Sequence, residues 1–333
     1  MADAELPTQI HDDARAAWYR FIDFFAPFRS QLFLYCRRLT GDVWDAEDLM
    51  QETLVHSFGV LGRVFNPIAN PRGYLTRVAT NLWIDAVRRR SAGERAVNWS
   101  ERVRAQAEVD PGEVRDAASR LIETLSPQER AAFLLKEVFD MSLDEIAEML
   151  VTSVGAVKTA LHRGRKRLDQ AKDLDTVSMS SVRRLSVSPA LVDRFVERLN
   201  ASDLPGLLDL MLDTATVEEV GNLLEVGRQQ FQKKGSWLWH AVNVHPDMPP
   251  DLRPPKYINE RTIFEGEPLL LGFMVLPDAK FLMAVARFEE VDGKIARIRA
   301  YNFNPEVLKE IAGKLGLVEG QVPYRFPMVA ASA

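Results

Sequence analysis

A chain of 333 residues with a hydrophobic content of 47% is long enough for two or three domains, each burying its own core. Its single cysteine, Cys36, excludes an internal disulfide and any cysteine-rich metal site, and no metal or other cofactor is expected. The net charge of −5 conceals blocks of opposite sign, a pattern that suits local contacts with nucleic acid rather than a general polycation.

The opening residues, MADAELPTQIHDDARAAW, have neither the basic start nor the apolar core of a signal peptide. The longest apolar run, Pro268 to Pro277, is too short to span a bilayer, so a cytoplasmic protein without membrane contact is expected. From about Ala14 to Arg90 the pattern is helical. The first helix carries Trp18, Phe21, Phe25 and Phe28, and Leu32, Cys36 and Leu39 continue that face until Gly41 stops it. Cys36 in this stripe reads as a buried structural thiol. Asp42 to Phe58 forms the second helix, with Ala46, Leu49, Met50, Thr53, Leu54 and Phe58 inward. On another side Asp45, Asp48 and Glu52, spaced three and four apart and flanked by Gln51, make a carboxylate stripe. Such a stripe reads either as a solvated acidic face or as a surface for a basic partner helix.

A loop from Gly59 to Asn70 leads to the third helix, Pro71 to Arg90, which starts on proline and ends on three arginines. Leu75, Val78, Ala79, Leu82 and Val87 face inward. Arg72, Arg77, Arg88, Arg89 and Arg90 stand against the single acid Asp85. Trp83 borders the inner face and reads equally as core or as a stacking aromatic. Residues 93–112 are polar and weakly periodic, a linker. The next block, 113–172, holds a capping box, Ser126-Pro127-Gln128-Glu129, that opens a helix from Gln128 to Phe139. Met141 to Leu168 then spells a helix-turn-helix. Ser142 is the N-cap, Glu145 closes a second capping box, and Ile146, Ala147 and Leu150 form a short apolar stripe. The second helix starts near Val154 and turns Val154, Val157, Leu161 and Leu168 inward. Its outer face carries Lys158, Thr159, His162, Arg163, Arg165, Lys166 and Arg167, with no acid from Val151 to Leu168. That face suits the major groove, with cations beside phosphate; a helical hairpin with a solvated basic face is the plainer alternative.

Residues 173–188 form a second, serine-containing linker. The third block, 189–318, starts helical, with Leu191, Phe195 and Leu199, then Leu204, Leu207, Leu208 and Met211. Arg261 to Val275, Lys280 to Glu290 and Lys294 to Asn302 are β-rich, and Val291-Asp292-Gly293-Lys294 supplies a hairpin turn. Between helices and strands, five prolines from Pro246 to Pro255 impose a loop. Helices followed by an antiparallel sheet argue for an α+β domain, and a tail follows at 319–333.

Acidic-striped helix, arginine-tailed helix, linker and helix-turn-helix occur here in the order found in bacterial sigma-70-family sigma factors. The chain resembles their extracytoplasmic-function class from about Phe21 to Leu168, most clearly in DAEDLMQETLVHSF, NPRGYLTRVATNLWIDAVRRR and LSPQERAAFLLKEVFDMSLDEIAEML. The resemblance implies two all-α sigma domains: region 2 over 14–92, a helical bundle, and region 4 over 113–172, a helix-turn-helix. It implies that Asp45, Asp48, Gln51 and Glu52 dock on core RNA polymerase. Arg72, Arg77, Asn81, Trp83, Arg88 and Arg89 would hold the opened −10 promoter DNA, with Phe65 and Asn66 in the loop beside the base pocket. Lys158, Thr159, His162, Arg163 and Arg165 would read the −35 element, where Arg165 and Arg167 can equally serve phosphate alone. Ala160 departs from the polar residue usual at its position. The third block resembles the SnoaL-like, ketosteroid-isomerase-like cone, which suits a small-molecule ligand and a regulatory role. His240, His245, Asp193 and Glu218, with Trp237, Trp239 and Tyr301 as lining, are its candidate residues, and they form no recognisable catalytic set. The expectation is therefore a non-enzymatic sigma factor modulated by a fused domain. A one-component helix-turn-helix regulator and a cone-fold enzyme with a DNA-binding appendage are the alternatives.

Overall fold

The computed structural model describes residues 8–61, 68, 70–97, 125–137, 141–171, 187–234, 236–242 and 257–324. The chain divides into two compact units, Met1–Val182 and Arg183–Ala333. Residues 98–112 and 173–186 of the two linkers, the loop residues Phe65 and Asn66, the proline-rich stretch with His245, and the last residues of the tail lie outside the described residues.

The first unit is all helical. Helix α1 (Thr8–Thr40) begins upstream of the expected start and contains Pro27. Gly41 ends it in the left-handed conformation, φ 82°, with its N–H on the Arg37 carbonyl, a conformation glycine adopts without strain. Helix α2 (Val43–Leu61) is capped by Asp42, whose Oδ1 accepts from the backbone N–H of Trp44 and Asp45. Helix α3 (Pro71–Val97) runs past the three arginines into the stretch that reads as linker. Helices α1 and α2 pack through Trp18, Phe21, Phe25 and Phe58, with ring centroids 4.6–5.5 Å apart. Deeper in, the Tyr35 hydroxyl meets Thr80 Oγ1 at 2.6 Å, and Cys36 is fully buried, as its place in the stripe requires.

Helix α4 (Pro127–Glu137) and the pair α5 (Leu143–Met149) and α6 (Val154–Ala171) complete the unit. Both capping boxes form. Glu129 N–H donates to Ser126 Oγ and Ser126 N–H to Glu129 Oε2; Glu145 and Ser142 repeat the exchange. In the turn, Val151 takes φ 49° and Ser153 Oγ accepts from Ala156 N–H, so Ser153 starts the second helix.

The second unit is α+β. Helices α7 (Pro189–Asn200) and α8 (Leu204–Asp209) lead into β1 (Met211–Glu219) and β2 (Leu223–Val226). Two short helices follow, α9 (Arg228–Phe231) and α10 (Trp237–Val242). Then come β3 (Tyr257–Phe264), β4 (Glu267–Leu276), β5 (Ala279–Val291), β6 (Lys294–Ala300) and helix α11 (Pro305–Leu315). The sheet order is β2-β1-β6-β5-β4-β3; β1 and β6 are parallel and the remaining neighbours antiparallel.

Three boundaries differ from the sequence reading. Met211 opens a strand instead of closing the helical stretch. β1 and β2 lie in a polar segment that gave no strand expectation. The stretch Arg261 to Val275 is two strands joined at Glu265-Gly266, both at positive φ (50° and 82°). The expected hairpin at Asp292-Gly293 is present, again with both residues at positive φ.

One face of the sheet is covered by the helices α7 to α10 and filled by Leu191, Phe195, Leu207, Phe231, Leu238 and Phe288. Helix α11 packs Val307, Leu308, Ile311 and Ala312 into the core of the unit and lies against β5.

Candidate nucleic-acid interface

On α2 the inward residues anchor the helix so firmly that the outer ones have little choice of direction. Glu47 is fully buried and accepts from Arg29 Nη2 of α1 at 3.1 Å and from Gln51 Nε2 at 2.6 Å. Gln51, read from sequence as part of the acidic docking face, thus turns its amide nitrogen inward to Glu47. Asp48 and Glu52 are exposed and Asp45 is half-buried beside the Asp42 cap. The stripe is carried by a helix locked to its neighbour by a buried ion pair, which the sequence reading had missed. Its signal was Arg29, an arginine set within the aromatic face of α1.

Among the residues expected to meet the −10 strand, Arg72, Arg88 and Arg89 are exposed and Asn81 is half-buried. Arg88 lies 3.6 Å from Asp85, as a surface i,i+3 pair. Arg77 lies 3.6 Å from Glu148 of α5. Trp83 is 7% exposed, and the guanidinium of Arg130 lies over its ring, 5.3 Å from the centroid. In this arrangement Trp83 is interior, and base stacking would first require α4 to leave it.

The basic face of α6 is outward as the spacing demands. Lys158, Thr159, His162, Arg163, Arg165, Lys166 and Arg167 are all exposed, while Val157 and Leu161 are buried and Val154 and Leu168 half-buried. The cations are not equivalent. Arg165 is paired with Glu137 at 2.6 Å and Arg167 with Glu129 at 2.7 Å, both acids on α4. Thr159 donates its hydroxyl to the Gly155 carbonyl at 2.9 Å, so its proton serves the helix. The Ser142 hydrogen bonds hold the Glu145 carboxyl below its ordinary value, which keeps the α5 cap ionised.

In the second unit the candidate residues are not gathered. Asp193 pairs with Arg261 on the outside of α7. Burial alone would raise the Glu218 carboxyl, but Arg299 and Arg297 hold it below its ordinary value. His240 sits edge-on to Trp239, with ring centroids 5.1 Å apart, and Tyr301 is fully buried. A surface depression of about 470 Å³ is lined by Arg194, Glu197, Arg198, Asp203 and Asp209, and includes none of them. The carboxylate the sequence reading passed over is Glu219. Strand alternation sends it to the face opposite Glu218. There it accepts from Trp237 Nε1 at 2.9 Å, Asn302 N–H at 2.9 Å and Asn302 Nδ2 at 2.8 Å. Burial pushes the Glu219 carboxyl up to about 8 against the pull of those donors. No helix of the described residues is long and apolar enough to cross a membrane.

Comparison with known proteins fits this geometry. The family profile "Sigma-70 region 2" matches residues 24–93, and "Sigma-70, region 4" matches residues 115–168. The ECF RNA polymerase sigma factor SigG of Mycobacterium tuberculosis is 32% identical over 230 residues, 58% of this chain and 59% of that relative's length. The probable ECF RNA polymerase sigma factor SigI of the same organism is 25% identical over 317 residues, 92% of this chain and 98% of the relative. Among solved structures, M. tuberculosis SigJ covers 86% of this chain and 97% of its own, at 22% identity and a TM-score of 0.32. A putative ketosteroid isomerase from Kribbella flavida covers 34% of this chain and 75% of its own, at 16% identity and a TM-score of 0.24. Segments matching sigma-70 regions 2 and 4 are thus present in order, both built from helices, and the chain is similar to extracytoplasmic-function sigma factors, spanning 59% of the length of SigG.

Proposed function

We propose that this protein is a sigma factor that binds core RNA polymerase and directs promoter-specific initiation, with activity modulated by the second unit. The acidic side of α2, centred on Asp48 and Glu52, docks on a basic helical surface of the polymerase. Region 2 holds the −10 strand through Arg72, Arg88 and Arg89, and Asn81 offers hydrogen bonds to a base edge. Region 4 lays α6 in the major groove at −35, with Lys158, His162 and Arg163 toward DNA.

The observation that carries this reading is the coexistence of two exposed faces of opposite charge on one helical unit, the acidic stripe of α2 and the basic face of α6. A simple DNA-binding regulator uses the second and has no use for the first. Charge complementarity of this kind chiefly sets encounter rate and partner choice. Co-elution with core RNA polymerase tests it. The intact protein is expected to co-elute, and Asp48→Lys with Glu52→Lys is expected to abolish co-elution while leaving the fold intact. Retention of polymerase binding by that double variant would remove the α2 docking role.

A further inference from the structure

The cations of α6 can grip phosphate, but phosphate contacts carry no base sequence. In a helix-turn-helix the N-terminal residues of the second helix approach base edges. At that end α6 is small and apolar. Ala156 is exposed and shares an outward line with Thr159 and Arg163, three and seven residues on. Gly155 beside it is exposed too. Apart from the helix's own backbone, a Cβ added there would find only Ser153 Oγ, at 3.8 Å, so internal packing does not require glycine. A glycine that the protein does not need for itself suits close approach of the backbone to something outside. Ser153 Oγ accepts from the Ala156 N–H and Thr159 donates to the Gly155 carbonyl, so both hydroxyls already serve the helix. Val151, in the turn before α6, extends this surface. Its N–H donates to the Glu148 carbonyl and that of Thr152 to the Ala147 carbonyl, a helix C-cap that usually takes glycine. Val151 holds φ 49° there with its side chain 78% exposed, the most exposed large apolar side chain among the described residues. A β-branched residue in this conformation costs stability and gains little contact inside the protein.

We propose that Val151, Gly155 and Ala156 form a methyl-reading surface that selects a thymine in the −35 element, through the C5-methyl group that only thymine among the four bases presents in the major groove. This rests on the reading of α6 as the helix that enters the groove. Charge on the same helix names the occupant: Lys158, His162, Arg163 and Lys166 are exposed beside the apolar end and complement the phosphates that flank a base edge. The two parts of α6 divide the work. Its cations supply affinity for any sequence, and its first turn supplies the preference for one base. DNA covering Val151 returns in the complex what its conformation costs in the free protein.

Removal of single methyl groups from DNA tests this. The full-length protein selects duplexes from a random library, with and without core RNA polymerase, and the most enriched duplex is remade with deoxyuridine for each thymine in turn. Deoxyuridine pairs as thymine does and lacks only the C5 methyl. At one thymine the exchange is expected to weaken binding about fourfold, the effect of one buried methyl-sized group. Ala156→Gly is expected to bind the thymine and uracil duplexes equally. Because glycine can also loosen a helix, Val151→Gly gives an independent arm. Glycine fits the left-handed turn, so the melting temperature is expected to rise while the preference for thymine shrinks. Arg163→Ala is expected to weaken both duplexes alike and leave their ratio unchanged. A selected duplex in which no thymine is sensitive would overturn the proposal, and so would a sensitivity that both glycine variants keep. Enrichment to which polymerase contributes nothing would remove the sigma-factor reading and leave the thymine test in force. Enrichment of no sequence under either condition would overturn both.

Discussion

Arg29 and Glu47 show how one buried pair can matter more than a row of surface charges. Both are nearly inaccessible, at 4% and 0% side-chain exposure, so removing one partner strands a charge in the core. Glu47→Ala is expected to destabilise the first unit by about 3–5 kcal/mol, read from urea unfolding. Asp48→Ala, one residue on and exposed, is expected to change stability by less than about 0.5 kcal/mol. Equal effects of the two would contradict the separation of anchor from docking face. Glu219 makes a second residue-level case. Its carboxyl is raised to about 8 in the folded unit, while the unfolded chain titrates near the ordinary 4.5. A raised acid is stabilising while protonated, so its contribution is fully present below about pH 4.5 and is lost as pH rises towards 8. Denaturation of the second unit at pH 5 and pH 8 is expected to show this loss in the native chain. It should be absent in Glu219→Gln, which cannot titrate.

At the scale of elements, helix α6 separates its cations by partner. Arg165 and Arg167 are already paired with Glu137 and Glu129, so contact with phosphate exchanges one anion for another. Lys158 and Arg163 stand outward on the same helix with no such ion pair among those the structure describes. In holoenzyme binding to promoter DNA across a salt series, Lys158→Ala or Arg163→Ala is expected to reduce the log–log salt slope by about 1. Arg165→Ala is expected to reduce it less, and a reversed ranking would contradict the assignment of the free cations to DNA.

The capping boxes at Ser126 and Ser142 were legible in sequence because their hydrogen bonds close within three residues. The α6 face was legible because periodicity alone fixes it. Trp83 was not, since periodicity placed it at a border and its cover, Arg130, comes from a distant segment. β1 escaped notice because its exposed residues are Asp213 and Thr214 and its last two are glutamates, one of them buried by long-range donors. The β3–β4 turn escaped because Glu265 occupies a left-handed position usually held by Asn, Asp or Gly.

For the whole molecule, a helical unit that carries the segments matching sigma-70 regions 2 and 4 is followed by an α+β unit that neither match covers. Among the described residues the face of that sheet beneath α7 to α10 is filled by the unit's own side chains. Truncation after Ser186 is expected to change the yield of promoter-directed transcripts, and its direction gives the sign of the modulation. An unchanged yield would assign the second unit another role. The most direct measurement is run-off transcription from a promoter library by core RNA polymerase with and without the full-length protein. Initiation at a defined subset of promoters, dependent on the added protein, is the expected result; transcription indistinguishable from core polymerase alone would contradict the sigma-factor assignment of function.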